Sequence, residues 1–241
     1  MTAPQRQPGR LGRALIRMLM KQAGIAAAED VAPGFRLLTL ESPEFKGIAW
    51  TPGQKVQIAM GSAFVARTFT PIEWDAAAGR TRILGYTHGA EPGSDWIRQA
   101  APGNGCHVFG PRASLDAAGL AGTPVLFGDE TSIGLAYALA ATEAGRALQC
   151  VLEVNGLADT LSALSQIRLG NTELFERKNG DVHLDDIERR LPPLAASGAA
   201  FILTGKASSI QRVKRCLNAL NVPSARILSK AYWTLGKTGL D

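Results

Sequence analysis

Between Phe35 and Phe109 the apolar, aromatic and β-branched positions come in short runs: Phe35–Leu40, Gln54–Met60, Arg67–Trp74, Thr81–Thr87 and Cys106–Phe109. Pro and Gly punctuate the gaps, and five or six such strands in about 75 residues predict a small antiparallel β-barrel. One helix is expected inside it, Ser94–Ala100, opening after Gly93 and stopped by Pro102-Gly103; Gly110-Pro111 then ends the barrel. From Pro124 onward the pattern alternates instead. Val125–Phe127 reads as a buried strand, Thr131–Gly145 as an Ala-rich helix, and Leu148–Val154 and Ala199–Leu203 as further strands; Ser208–Leu220 reads as a helix carrying Arg212, Lys214 and Arg215. Such βα alternation predicts a doubly wound parallel sheet. The linker falls near Arg112–Gly122, and residues 156–185 show no clear period. Ahead of the barrel, Leu11–Ala23 sets Arg13, Arg17 and Lys21 among Leu, Ile and Met, which predicts a surface helix with a basic face. Charge breaks its apolar core, unlike that of a signal peptide. The expected division is a basic N-terminal helix over 1–24, a barrel domain over 25–115 and an α/β domain with a C-terminal extension over 116–241.

Composition narrows the class without naming it. The 241 residues, 46% hydrophobic and 20% charged, can build two domains of roughly 100–130 residues. A net charge of +5 favours anionic partners such as nucleotides or acidic chelates. Nothing in the sequence asks for a nucleic-acid partner, and a monomer is expected. Cys106, Cys150 and Cys216 share no CxxC-type spacing, so neither a disulfide framework nor a zinc or iron–sulfur site is indicated. That usage fits a reducing cytoplasm. No run approaches about 18 consecutive apolar residues, so no spanning helix and no stable membrane insertion are expected.

Three segments carry candidate chemistry. In the extended run Arg67-Thr68-Phe69-Thr70-Pro71, Arg67 and Phe69 project to one face and Thr68 and Thr70 to the other. A cation, an aromatic face and two hydroxyls suit a flavin and its phosphates; read alone, the run is also an ordinary barrel strand with one exposed arginine. His88-Gly89 ends a strand and Gly93-Ser94 opens a helix, where backbone N–H groups and the positive helix end can receive a pyrophosphate with Trp96 packed beside it. Gly128-Asp129-Glu130-Thr131-Ser132-Ile133-Gly134 places small and acidic residues where a strand meets a helix, the usual nucleotide position in an open parallel sheet. Asp129 and Glu130 would bind ribose hydroxyls or hold the turn, leaving phosphates to N–H groups and Thr131. Read alone, the segment is also an acidic helix cap. His107 and His183 lack ligand-spaced partners and read as structural or exposed, and no resident metal is expected.

Taken together, these segments resemble the siderophore-interacting protein family, FAD-dependent ferric-siderophore reductases related to ferredoxin-NADP reductases. The resemblance runs from about Val31 to Gly239 and rests on Arg67-Thr68-Phe69-Thr70, His88-Gly89 with Gly93-Ser94-Asp95-Trp96, Gly110-Pro111, Gly128-Asp129-Glu130-Thr131, and Tyr232-Trp233 with Gly236-Lys237. It implies FAD at Arg67, Thr68, Phe69, Thr70, His88, Gly93, Ser94 and Trp96, with Phe69 standing where the family has tyrosine. It implies a nicotinamide cofactor at Gly128, Asp129, Glu130 and Thr131, NADPH being preferred with NADH as the alternative. Lys206, in Thr204-Gly205-Lys206 where the family has Ala-Gly-Glu, together with Arg177 and Arg212, are the candidates for the cofactor's phosphates. Tyr232 and Trp233 would cover the flavin or the substrate mouth, and Lys230 and Lys237 would attract an anionic ferric chelate. Thr234 and Leu235 stand where arginines are common.

The implied reaction passes hydride from nicotinamide to flavin and then single electrons to iron(III), a substrate here, so no nucleophile and base are needed and no catalytic side chain is assigned. Two other classes stay open: a general flavin reductase serving a protein or small acceptor, with ferredoxin as one such partner, and a non-catalytic flavin- or siderophore-binding protein.

Overall fold

The computed structural model describes residues 20–62, 65–89, 92–142 and 147–236. The chain divides into two units, the first holding the residues up to Asp30 and Gly34–Ala113, the second Val31–Pro33 and the residues from Ser114 onward.

The first unit holds seven strands: β1 (Lys21–Ala32), β2 (Phe35–Glu41), β3 (Lys55–Ser62), β4 (Val65–Phe69), β5 (Pro71–Asp75), β6 (Arg80–Tyr86) and β7 (Gly105–Arg112). They hydrogen-bond in the order β4-β3-β7-β1-β2-β6-β5, and the paired registers are antiparallel. The two ends of that order, β4 and β5, are separated in sequence by Thr70 alone. A flat seven-stranded sheet would place its edges about 29 Å apart, whereas one residue spans about 7 Å between its neighbours. The sheet is therefore rolled, with its seam at Thr70, as the expected barrel requires. Its core is Leu38, Leu40, Phe45, Val56, Ile58, Ile83 and Val108, alternate residues of the strands together with one from a short turn. Helix α1 (Pro92–Gln99) lies within this unit; proline at its first position costs nothing because that N–H has no helical partner.

Strand β1 corrects one expectation. Residues 1–19 lie outside the described residues, but the far end of the N-terminal helix expected over 1–24 is extended: Lys21–Gly24 pairs with Val108–Gly105 of β7. The Ala-rich stretch favours helix locally, yet a place between β7 and β2 that buries Ala23 and Ile25 overrides that preference.

The second unit is a parallel sheet of β8 (Pro124–Asp129), β9 (Gln149–Val154), β10 (Thr172–Glu176), β11 (Ala200–Lys206) and β12 (Ile227–Trp233) in the order β10-β9-β8-β11-β12. Its helices are α2 (Ile133–Ala140), α3 (Leu157–Ile167), α4 (His183–Ala196) and α5 (Ala207–Ala219). Strand β11 is buried along its whole length, as a central strand covered on both faces must be. The chain builds outward from β8 to β10 and then returns to β11, so the switch in direction falls between β8 and β11. The helix expected over Thr131–Gly145 is shorter: Glu130–Ser132 form a 3-10 turn, the α-helix covers Ile133–Ala140, and 143–146 lie outside the described residues. The patternless stretch 156–185 resolves into α3, β10, a 3-10 turn at Asn179–Asp181 and the start of α4. Strand β10 is half-exposed at the sheet edge, which is why its apolar signal is weak.

Candidate functional site

In the barrel unit the fold brings the first two motifs together. Arg67 and Phe69 of β4 share a face, and both meet α1. The Arg67 stem lies where a side chain on Gly93 would come within 3.3 Å of its Cγ, and the Phe69 and Trp96 ring centroids are 5.5 Å apart. Arg67 Nη1 donates to its neighbour Ala66 O at 2.9 Å, which turns the guanidinium along the strand beside the start of α1. Cation and positive helix end then reinforce one another toward an anion. Ser94 is buried, and its hydroxyl closes the preceding loop, accepting from His88 N at 3.1 Å and donating to His88 O at 2.9 Å. Ser94 therefore shapes the loop through its side chain. The His88 ring packs on Tyr86, with centroids 5.6 Å apart.

One supporting residue escaped the sequence reading. Arg36 of β2 donates through Nη1 to the carbonyls of Ile97, Arg98 and Ala100 at 2.6, 2.9 and 3.1 Å, satisfying the carboxyl end of α1. Nothing in the local sequence marks an arginine 61 residues upstream as that partner. A cation and a helix start beside an aromatic pair formed with the same helix have the chemistry to hold the phosphates and ring of a flavin dinucleotide.

In the α/β unit the third motif is more closed than expected. Asp129 is fully buried and caps the turn: its Oδ1 accepts from Thr131 N at 2.9 Å and from the Thr131 hydroxyl, and Ser132 Oγ accepts from Asp129 N at 3.3 Å. A side chain on Gly128 would meet Ser132 Oγ at 2.4 Å, so the space that glycine leaves belongs to Ser132. Thr204 donates to the same Ser132 hydroxyl at 2.8 Å. Glu130, also buried, accepts from Asn155 N at 2.6 Å. Of the two roles open to Asp129 and Glu130, holding the turn is the one the geometry shows. Both carboxylates are buried.

A buried ionic cluster continues from that turn across the carboxyl ends of the strands. Arg177, with 14% of its side chain exposed, sets Nη1 3.1 Å from Glu130 Oε2, and Nη2 3.3 Å from Asp129 Oδ2 and 3.5 Å from Glu153 Oε1. Burial works against the Arg177 charge, and Glu130, Glu153 and Asp129 more than offset it, so the guanidinium holds its proton more tightly than usual. Burial also pushes the Asp129 carboxyl up to about 6, against the opposing pull of Thr131, Arg177 and Trp233. Glu153 Oε2 lies 2.8 Å from His183 Nε2, while Lys178 N donates to His183 Nδ1 at 3.2 Å. The backbone N–H at Nδ1 leaves Nε2 to carry the ring proton and donate to Glu153. Trp233 Nε1 donates to Asp129 Oδ2 at 2.7 Å, with Arg177 over the indole at 5.5 Å.

The three cations expected at the cofactor's phosphates each lie against protein acids. Arg177 is enclosed by three carboxylates. Lys206 is buried and donates to both oxygens of Asp181 at 3.0 and 3.2 Å. Arg212 pairs with Glu188 at 2.8 Å through Nε and with Asp185, and donates to Asp181 O at 3.2 Å. All three face protein acids, although Arg177 Nε and Nη2 are buried without a hydrogen-bond partner. Tyr232 and Trp233 sit at the end of the edge strand β12, with Trp233 tied into the turn capped by Asp129. Lys230 is half-buried on the same strand, and Lys237 lies outside the described residues. Among the described residues no group of three or more His, Cys, Asp or Glu could hold a metal ion, and no helix is long and apolar enough to cross a membrane. Burial raises the Cys106 and Cys150 thiols to about 11, which leaves them unreactive.

No protein-family model and no curated protein sequence matches the chain. Solved structures do. A siderophore utilization protein from T. fusca is 19% identical with a TM-score of 0.71, over 92% of this chain and 95% of that one. The siderophore-interacting protein SipS from Aeromonas hydrophila is 20% identical with a TM-score of 0.70, over 91% and 93%. A ferredoxin reductase in carbazole 1,9a-dioxygenase is 14% identical with a TM-score of 0.70, over 89% of this chain and 69% of its own. The chain therefore has the two-part fold of the ferredoxin reductases, and the resemblance noted in its motifs extends to that fold.

Proposed function

We propose that the protein is a flavin-dependent oxidoreductase that takes electrons from a nicotinamide dinucleotide and reduces iron(III) in a ferric siderophore, releasing iron(II). The observation that carries this reading is the convergence of Arg67 and Phe69 with Gly93 and Trp96 at the barrel seam. When bound, FAD supplies the conversion of a two-electron hydride donor into single electrons for iron(III). Arg67 and the start of α1 hold the phosphates, Phe69 and Trp96 fix the ring system from one side, and Ser94 keeps the His88 loop closed around them. In the α/β unit the capped turn at Asp129 and the indole of Trp233 form the rigid floor of the nucleotide site. Lys230 supplies positive charge for an anionic chelate, and ferrous iron leaves because hard oxygen ligands hold it more weakly. We place the reaction in the cytoplasm and the protein as a monomer.

A second reading is a reductase whose acceptor is a protein, such as a ferredoxin, or another small molecule. Thr234 and the exposed Leu235, at positions where the resembling family carries arginines, favour it. Absorbance of the purified protein, followed by anaerobic addition of NADPH or NADH and then of ferric chelates with a ferrous trap, tests both. A flavin band that bleaches and recovers as ferrous iron appears is the expected result. Absence of the band favours a binding protein without redox chemistry. A band that neither dinucleotide bleaches points to a protein electron donor.

A further inference from the structure

We propose that Lys178 reads the 2′-phosphate of NADPH and so sets the donor preference; this rests on the nicotinamide site proposed above. In an open parallel sheet the ligand lies outside the carboxyl ends of the strands at the switch point, here between β8 and β11. The adenine ribose of such a ligand is read near the end of the strand that follows the first helix, and NAD sites offer its 2′-hydroxyl a carboxylate there, about 20 residues beyond the glycine turn. That strand is β9, and Glu153 stands near its end. Glu153 is fully buried, donated to by His183 at 2.8 Å and turned onto Arg177 at 3.5 Å. Its other oxygen, Oε1, has no hydrogen-bond partner but is buried beside Arg177, where a ribose hydroxyl cannot reach it. The feature that would recognise NADH is consumed inside the domain.

The cations tell the complementary story. Arg177, Lys206 and Arg212 are each held by carboxylates, as described above. Lys178 follows the end of β10 by two residues and is exposed, and among the described residues no carboxylate is placed against its ammonium group. Its main chain is nevertheless fixed. Its N–H is bound by His183 Nδ1 at 3.2 Å, and the turn that follows is anchored at Asp181 by Lys206 at 3.0 Å and by Arg212 at 3.2 Å. Lys206 also neutralises the carboxylate of Asp181, the acid three residues from Lys178, while Arg212 holds its main-chain carbonyl. The paired cations thus position the turn, and beside them Lys178 is an exposed cation that no carboxylate among the described residues holds.

The test uses the intact flavoprotein and calorimetric binding of 2′,5′-ADP and 5′-AMP, two probes that differ only by the 2′-phosphate. Wild type is expected to bind 2′,5′-ADP about tenfold more tightly, the worth of one charge-assisted phosphate contact, with an advantage that shrinks at high salt. Lys178→Gln should abolish that advantage while leaving the Kd for 5′-AMP unchanged, and Lys178→Arg should retain most of it. Equal affinities in wild type, or an advantage that survives Lys178→Gln, would overturn the assignment. If wild type binds neither probe and neither NADPH nor NADH, the nicotinamide reading beneath it falls as well, a result distinct from binding without discrimination.

Discussion

The indole N–H of Trp233 donates to Asp129 at 2.7 Å across 104 residues of sequence, joining the end of the last strand to the turn after the first strand of the sheet. Trp233→Phe keeps an aromatic ring and removes the donor. Asp129 then retains Arg177 and Thr131 but loses one of its satisfied oxygens in a fully buried position. The expected cost is about 1–3 kcal/mol, measured as a lower urea midpoint with an unchanged slope. An unaltered midpoint would show that the bond contributes nothing.

Asp129 also gives the fold a pH dependence of definite sign. Its carboxyl rises from 3.8 to about 6 on folding, chiefly through burial. Between about pH 4 and 6 the unfolded chain ionises this group while the folded chain keeps it protonated, so its contribution to stability is complete below that window and is lost as pH rises through it. Asp129→Asn removes the slope. Relative to wild type, the variant should therefore gain stability between pH 4.5 and 7, as read from urea midpoints at the two values. A gap that does not change with pH would mean that Asp129 titrates normally.

Gly205 has φ +97°, and a side chain there would meet Asp129 Oδ2 at 2.4 Å. Gly205→Ala combines backbone strain with displacement of the capping carboxylate and should destabilise by roughly 2–4 kcal/mol. Gly170→Ala is the control, since a side chain there meets nothing within 4 Å. Comparable thermal shifts in the two variants would contradict the close approach at Gly205.

Arg67→Ala tests the flavin site. The side chain lies on Gly93 and is half-buried at the surface, outside the barrel core, so the variant should fold. Loss of one charged phosphate contact should weaken FAD retention roughly tenfold, seen as a lower flavin-to-protein absorbance ratio after desalting. Full flavin content with intact circular dichroism would remove Arg67 from the site.

The strands of the barrel were legible because alternation survives wherever one face is buried, as at Leu38, Leu40, Val56 and Ile58. Strand β1 was not, because alanine carries almost no strand signal and its partner β7 lies far along the chain. The two barrel motifs were readable one at a time; that Phe69 packs against Trp96 depends on where α1 crosses the sheet. Arg177 shows the limit most plainly. A lone arginine after an apolar run looks like a phosphate ligand, and only the fold reveals that Asp129, Glu130 and Glu153 surround it. The strand ending at Trp233 was read as a motif, and its place at the sheet edge beside Lys206 appears only in the pairing register.

The barrel seam has a consequence for how this protein can change over evolutionary time. Among the described residues β4 pairs with β3 and β5 with β6, each at one end of the sheet order, so each turns one row of main-chain groups away from that partner. A molecule lying along that seam can be gripped by peptide groups, whose chemistry is the same whatever side chain they carry. Positions such as 69 are then free to exchange one aromatic ring for another while the grip persists, and what selection must hold constant is the course of the backbone through Thr70.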